Sequence, residues 1–336
     1  MSRLTKNLRR LKVRTFRVAR RAASGLIGVS ETLFKDKPEP ITVENFRHHD
    51  STEVEEYWTG YLVNPNAFLS ARESRRYLEW RFRLYPQFRE FMQLWGNHTG
   101  EVVLDYGCGP GDDTTGLLLY SGAAQVIGVD VSPKALSLTR RRLELHRVDP
   151  ARVRLIRIED RSPDVPLGDA SVDFVNSSGV LHHASSPEGI LAEFRRIMRP
   201  GARGNVMVYN IDSVWAHLVV AYELMVRGGK YPGLPLEQAV QRTVDGEECP
   251  IARFYRHEDF IGMCNRAGLG AVYVGGYLSR GELKGLRRRL DRALGDPRLP
   301  ARSREFLDSL EFDERGHPVF ESHLSGWAGV YRLTRE

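Results

Sequence analysis

From Glu101 onward the apolar positions fall into two alternating rhythms. "EVVLDY", "AQVIGVD", "RVRLIRI" and "SVDFVNSS" are short apolar or alternating runs that predict strands. Between them, "TTGLLLYSG" and "SPKALSLTRRRLELH" carry apolar residues at helical spacing, and Ser132 followed by Pro133 is a helix start. Ser186 and Pro187 repeat that start, with Ile190, Phe194, Ile197 and Met198 forming the apolar stripe of the next helix. "PGARGNVMVYN" predicts a turn and a fifth strand. The alternating apolar and basic residues of "RVRLIRI" suit a strand near the sheet edge. Strands alternating with helices over this length predict an α/β fold, a parallel sheet covered on both faces.

Beyond Asn210 the rhythm breaks. An apolar helical piece ("VWAHLVVAYELMV"), a Gly/Pro-rich loop and "TVDGEECPIARFY" precede a helix in "RHEDFIGMCNRAGL" and a strand in "GAVYVGGY". A basic helical segment, "RGELKGLRRRLDRALG", comes before the last strand, "GWAGVYRLT". Upstream, residues 41–98 are aromatic and charged and predict a helical cap. Tyr57, Trp58 and Tyr61 there suit either a helix closing over a ligand or packing within the cap.

The stretch "VLDYGCGPG" places Asp105 two residues before the first of three closely spaced glycines, directly after a strand. In an open parallel sheet, ligands sit outside the carboxyl ends of the strands. A dinucleotide fingerprint needs its third glycine at position 112; that residue is Asp112, and Gly111 comes one position early. Asp112 and Asp113 then open the helix where a pyrophosphate would want bare amides. The loop therefore suits a cofactor with a cationic centre and no phosphate, which disfavours an NAD-dependent oxidoreductase. Asp130 ends the second strand, 25 residues after Asp105, where a carboxylate can accept ribose hydroxyls.

Composition changes this picture only at one end. The chain has 336 residues, 41% hydrophobic and 27% charged, an ordinary globular balance. The net charge is +6, but residues 1–30 hold nine Lys or Arg and no Asp or Glu, leaving the remainder at −3. The basicity belongs to a tail spanning residues 1–40, and a near-neutral body argues against a nucleic-acid track. The tail reads as an imperfectly amphipathic helix able to lie on an anionic membrane surface, as a transit peptide, or as a solvated leader. No stretch of apolar residues is long enough to span a membrane. Cys108, Cys249 and Cys264 are far apart and form neither a disulfide framework nor a zinc pattern, which fits a reducing, cytoplasmic setting. "RHHD" (47–50) lacks spaced partner ligands, so no metal is expected.

In order and spacing, "VLDYGCGPG", "IGVDVSPKAL", "PLGDASVDFVNSSGVLHH" and "LAEFRRIMRPGA" resemble the class I S-adenosylmethionine-dependent methyltransferases, in the small-molecule branch that includes the ubiquinone and menaquinone methylases. The resemblance covers residues 100–210. It implies a Rossmann-like doubly wound seven-stranded sheet, mostly parallel with an antiparallel last strand. To that are added the helical N-terminal extension (41–98) and a methyltransferase domain (99–336) with substrate-lid insertions at 211–256 and 278–325. It implies S-adenosyl-L-methionine as cofactor. Asp105, Tyr106, Gly107, Cys108, Gly109 and Gly111 would wrap its methionine part, and Asp130 would hold the ribose with Val131 beside the adenine. Asp160, or Glu159 after a one-residue shift, would flank the adenine amino group, and the strand end around Ser177 would approach the reacting methyl. Tyr106 replaces the branch's usual small aliphatic residue, and its Pro-Gly-Gly turn stands here as Pro200, Gly201 and Ala202.

Methyl transfer needs a base only when the nucleophile must lose a proton. His182 and His183 follow the fourth strand and are the candidates, although "VLHH" is common in this branch and serves equally to shape the loop. Arg253 suits either an acidic group on the acceptor or a pair with Glu247 or Glu248. The expected activity is methylation of a small-molecule, glycan or lipid-linked acceptor. The alternatives are an RNA or protein methylase and a non-catalytic binder of the same fold, and peripheral membrane contact would run through the tail.

Overall fold

The computed structural model describes residues 40–46 and 51–336. The basic tail up to position 39 and the "RHHD" stretch lie outside the described residues. Within them, the sheet runs through β1 (Val43–Asn45), β2 (Val102–Tyr106), β3 (Gln125–Asp130), β4 (Val153–Arg157), β5 (Val172–Ser178) and β6 (Met198–Asn210), then β7 (Phe254–Tyr255), β8 (Gly270–Tyr277) and β9 (Ala328–Thr334). Its spatial order is β1-β4-β3-β2-β5-β6-β9-β8, with the two-residue β7 beside β6. All pairings are parallel except those of β9, which is antiparallel to β6 and β8. These are the seven expected strands with their antiparallel last member, extended by β1 at the outer edge of β4 and by β7.

Alternation along each strand builds the two apolar layers. Val103, Val126, Leu155 and Phe174 pack on one face with Leu117, Leu118, Leu136 and Leu143. Their chain neighbours Leu104, Ile127, Ile156 and Val175 pack on the other with Leu191, Phe194, Phe260 and Tyr331. The helices named here are α1 (Glu53–Gly60), α2 (Ala71–Leu84), α3 (Asp112–Tyr120) and α4 (Pro133–Leu145). Ser132 caps α4, accepting from the Ala135 amide at 3.2 Å, and Pro133 takes the first helical position.

Three local expectations are refined. Pro200–Ala202, expected as a turn, lies inside the first part of β6, where the β5–β6 register shifts. The apolar piece after β6 is a π-helix, Trp215–Val226. The basic segment near residue 285 is two helices, Arg280–Leu283 and Leu286–Leu294, broken where Gly285 takes φ +67°.

Candidate cofactor and acceptor site

Chain order reverses between β2 and β5, which places a crevice beyond the carboxyl ends of those strands. The glycine loop leaves β2 into that crevice and is stitched to β3, with the amides of Gly107 and Cys108 donating to the Val129 carbonyl at 2.8 and 2.9 Å. Gly111 has φ +77°, and a Cβ there would stand 2.7 Å from Thr139 Cγ2 and 2.9 Å from its Oγ1. Thr139 is not free to retreat, because its hydroxyl donates to the Gly109 carbonyl at 2.7 Å. Gly109 also has positive φ, +53°, yet a Cβ there would meet nothing within 4 Å. One glycine is therefore required by packing, and the other borders open space.

Asp105 is fully enclosed, accepting from Thr114 Oγ1 at 2.5 Å and Asn176 Nδ2 at 2.8 Å. Burial, and then the Asp113 charge, push its carboxyl up to about 7, against the opposing pull of those two hydrogen bonds. The second strand's acid, Asp130, accepts the Gly109 amide at Oδ2 and the Ser132 amide at Oδ1, both at 2.8 Å. Burial raises it to about 6 despite those amides, and each oxygen keeps lone-pair capacity for a hydroxyl. Val131, next along, is half-buried against the larger apolar layer. Tyr106 packs edge-on against Phe194 at 5.1 Å, so its ring belongs to the core. Cys108 is buried, and desolvation drives its thiol well above the usual range, which leaves it inert as a nucleophile.

Asp160 accepts from the amide and hydroxyl of Ser185, and its own amide donates to Glu55 Oε1 at 2.8 Å. Helix α1 thus lies against the end of β4. Ser177 is fully buried on β5, and its Oγ, with Asn176 Oδ1, lacks a hydrogen-bond partner among the described residues.

The acidic pair opening α3 is not free charge. Arg81 of α2 binds Asp113 at 2.6 Å. Arg142 of α4 binds Asp112, which also accepts from Asn64 at 3.2 and 3.3 Å. Arg142 is 2% exposed, donates to Ser74 Oγ at 2.8 Å and stacks over Phe68 at 4.6 Å. Repulsion of a phosphate by these acids is therefore weaker than their sequence position suggests. The case against a dinucleotide rests on the glycine spacing and on the enclosed Asp105.

After β5, the two histidines divide. His182 is fully buried, its ring centroid 3.7 Å from that of Tyr209, and neither ring nitrogen has a partner among the described residues. Desolvation, then the neighbouring His183 and Arg253, lower its pKa well below the ordinary value, so it is neutral. His183 has Nδ1 2.6 Å from the Ile251 carbonyl and Nε2 3.5 Å from Asp245 Oδ2. Its pKa is lowered, chiefly by burial, with Asp245 and the carbonyl pulling the other way. Since a carbonyl can only accept, Nδ1 carries the proton and Nε2 the lone pair of the neutral ring.

Asp245 gathers the surrounding elements. It accepts from Tyr209 Oη at 2.8 Å through its carboxylate and from Tyr57 Oη at 2.7 Å through its carbonyl. Trp58 covers His183 at 4.6 Å, and Phe254 and Trp327 flank Tyr209 at 4.9 and 5.1 Å. Sequence reading found the histidines but missed Asp245 and Glu55, whose contacts with Tyr57 and Asp160 span 188 and 105 positions. Arg253 pairs with backbone, donating to the Ala184 carbonyl at 2.6 Å.

An open α/β sheet with carboxylates at the tips of β2 and β3 and a glycine loop lacking the dinucleotide spacing defines a nucleoside-cofactor protein of Rossmann-like architecture. Residues 97–228 match a family model described as a methyltransferase domain. The chain is 31% identical over 216 residues to an uncharacterized 37.1 kDa protein in transposon Tn4556 of Streptomyces fradiae, covering 63% of this chain and 58% of that protein. It is 32% identical over 115 residues to a demethylmenaquinone methyltransferase of Tropheryma whipplei, covering 34% and 44% respectively. The chain thus spans about half the length of these curated relatives. A solved SAM-dependent methyltransferase from Aquifex aeolicus aligns with 62% of this chain and 94% of its own, at 18% identity and a TM-score of 0.43. The chain carries a class I S-adenosylmethionine-dependent methyltransferase domain, and S-adenosyl-L-methionine is the cofactor of that domain.

The residues present fit that cofactor. On β5 two buried polar atoms, Asn176 Oδ1 and Ser177 Oγ, lack partners among the described residues, and at the glycine loop the backbone of Gly109 borders open space. The enclosed carboxylate of Asp105 suits a cation.

Proposed function

We propose that the chain methylates an aromatic or lipid-linked small molecule bearing an ionisable hydroxyl, seated beneath α1 against the 245–255 loop and the end of β6. The observation that carries this reading is the aromatic enclosure of His183 by Trp58 and Tyr209, with Asp245 facing its lone-pair nitrogen. An aromatic-lined recess holding one proton acceptor suits a planar, largely apolar acceptor with one acidic proton. The matched Tropheryma relative bears the name of a demethylmenaquinone methyltransferase, which supports an acceptor of that general kind.

When bound, S-adenosylmethionine supplies a methyl group already activated on a sulfonium. In this reading Asp105 and the loop Tyr106, Gly107, Cys108, Gly109 and Gly111 hold its amino-acid end. Asp130 takes the ribose, Val131 and Asp160 border the adenine, and Ser177 faces the methyl side. His183 takes the acceptor's proton at Nε2, and Asp245 stabilises the imidazolium that results. His182 supports the Tyr209 ring. The segments 211–256 and 278–325, with the 41–98 cap, exclude water from the transfer.

The test is calorimetric titration of the protein with S-adenosylmethionine, S-adenosylhomocysteine and NAD, beside Asp130→Ala. Micromolar binding of the first two, lost in the variant and absent for NAD, is expected. Transfer of labelled methyl groups to the organic-soluble fraction of a cell extract, reduced in His183→Gln while cofactor affinity holds, completes it. No affinity for either sulfur nucleoside refutes the reading.

A further inference from the structure

The surface of the cap carries a pattern that the cofactor site does not use. Six large hydrophobic side chains stand exposed among the described residues, and four of them belong to a single stretch of twenty positions. Val63 and Leu69 are 78% and 81% exposed on the loop joining α1 to α2, and Trp80 and Tyr61 are 43% and 38% exposed. The loop is well held beneath them. Asn64 is buried and bonded to Asp112, and Phe68 is buried under the Arg142 guanidinium. Leu69 is not withdrawn by helix capping either, since Ser70 caps α2 and the Leu69 amide donates to Glu73 at 2.9 Å.

Around these apolar groups lies positive charge. Arg72, Arg75, Arg76 and Arg83 of α2 are exposed, and none makes an ion pair with a carboxylate among the described residues, whereas Arg81 on the same helix is spent on Asp113. Only Glu73 and Glu79 oppose them on α2. The ring contacts Phe68–Tyr77 and Tyr77–Trp80, at 5.5 and 5.4 Å, join the loop to Trp80 in one aromatic path. Two exposed aliphatics on an anchored loop, a half-exposed tryptophan and arginines without ion pairs among the described residues are the chemistry of a membrane–water interface. The aliphatics enter the acyl boundary, the indole sits at headgroup level, and guanidinium groups meet anionic headgroups.

We infer that the α1–α2 loop and the outer face of α2 dock the protein on an anionic lipid surface. This places α1, whose Tyr57 and Trp58 reach Asp245 and His183, next to that surface. The inference uses surface residues alone and stands apart from the methyl-transfer reading. The full chain is to be sedimented with vesicles of phosphatidylcholine alone and of phosphatidylcholine mixed with phosphatidylglycerol.

Binding to the mixed vesicles is expected. It should fall at least about tenfold in Val63→Asp/Leu69→Asp and in Arg72→Glu/Arg76→Glu, with thermal midpoint and S-adenosylmethionine affinity unchanged. Vesicle binding that survives both double variants overturns the inference, as does binding lost only when tail arginines Arg9, Arg10, Arg20 and Arg21 become Glu. A dimer in solution that Val63→Asp/Leu69→Asp dissolves, with no vesicle binding, overturns it in favour of a second copy covering the face. Loss of cofactor affinity together with intact vesicle binding would refute the methyl-transfer reading and leave this one standing.

Discussion

Gly109 and Gly111 share a loop and a left-handed backbone, yet substituting them should break different things. In Gly111→Ala the new Cβ pays the left-handed penalty of about 1–2 kcal/mol and also strikes Thr139 at 2.7 Å. Thr139 is pinned by its bond to Gly109, so overpacking adds about 1–3 kcal/mol. The sum, centred on about 3.5 kcal/mol, lowers the thermal midpoint by roughly 7–14 °C for a domain of this size. In Gly109→Ala only the backbone term applies, because nothing lies within 4 Å of the added methyl. The midpoint should fall by no more than about 2–8 °C. The methyl does, however, enter the space assigned to the cofactor, and affinity for S-adenosylmethionine should drop at least about tenfold. Differential scanning calorimetry and isothermal titration on the same preparations read both quantities. If Gly109→Ala binds the cofactor as the native protein does, the space beside Gly109 is not the cofactor's and the site assignment fails.

Arg142→Met should cost about 3–5 kcal/mol in urea unfolding, since it strands the Asp112 carboxylate beside α3. Arg142→Lys should recover little, because one ammonium cannot serve Ser74 and Asp112 while stacking on Phe68. A loss under about 1 kcal/mol would show that Asn64 alone suffices for Asp112. Cofactor affinity should depend on pH through Asp105. With its carboxyl raised to about 7, the group is mostly neutral at pH 6 and ionised at pH 8. A cationic ligand therefore binds more tightly as pH rises through 7 and releases protons on binding below it. Titrations at pH 6 in buffers of different ionisation enthalpy measure that release, and a flat profile removes Asp105 from the contact. Cys108, buried with a raised thiol pKa, should resist iodoacetamide at pH 8 in the native fold, while Cys249, half-buried, reacts first.

What was legible in the sequence is what local physics controls. Apolar runs, the Ser132–Pro133 cap and the glycine loop each specify themselves within a dozen residues, and all appear where they were read. β1 was not legible, because three residues with one half-buried give no alternation to detect and their pairing with β4 is set by position alone. The break at Gly285 was hidden by the basic helical pattern on either side of it. The roles of Asp112 and Asp113 were misread for a related reason. Their charge was visible, but the arginines that neutralise them come from α2 and α4, 32 and 30 positions away. Asp245 carried no signal at all, since its partners Tyr57, His183 and Tyr209 belong to three other segments.

The ion pairs beneath the cap have a consequence for anyone recombining this chain with a relative. Residues 97–228 match the family model, and cutting there looks natural. Such a cut discards Arg81, Asn64 and Ser74, leaving Asp113 with no cation and Arg142 with half of its bonding. Helix α3, which follows the glycine loop, would begin with an Asp113 carboxylate that has lost its arginine. Positions 53–84 are therefore not a separable cassette: a graft that replaces them must carry them and their contacts as one piece, or rebuild the acidic helix start to match.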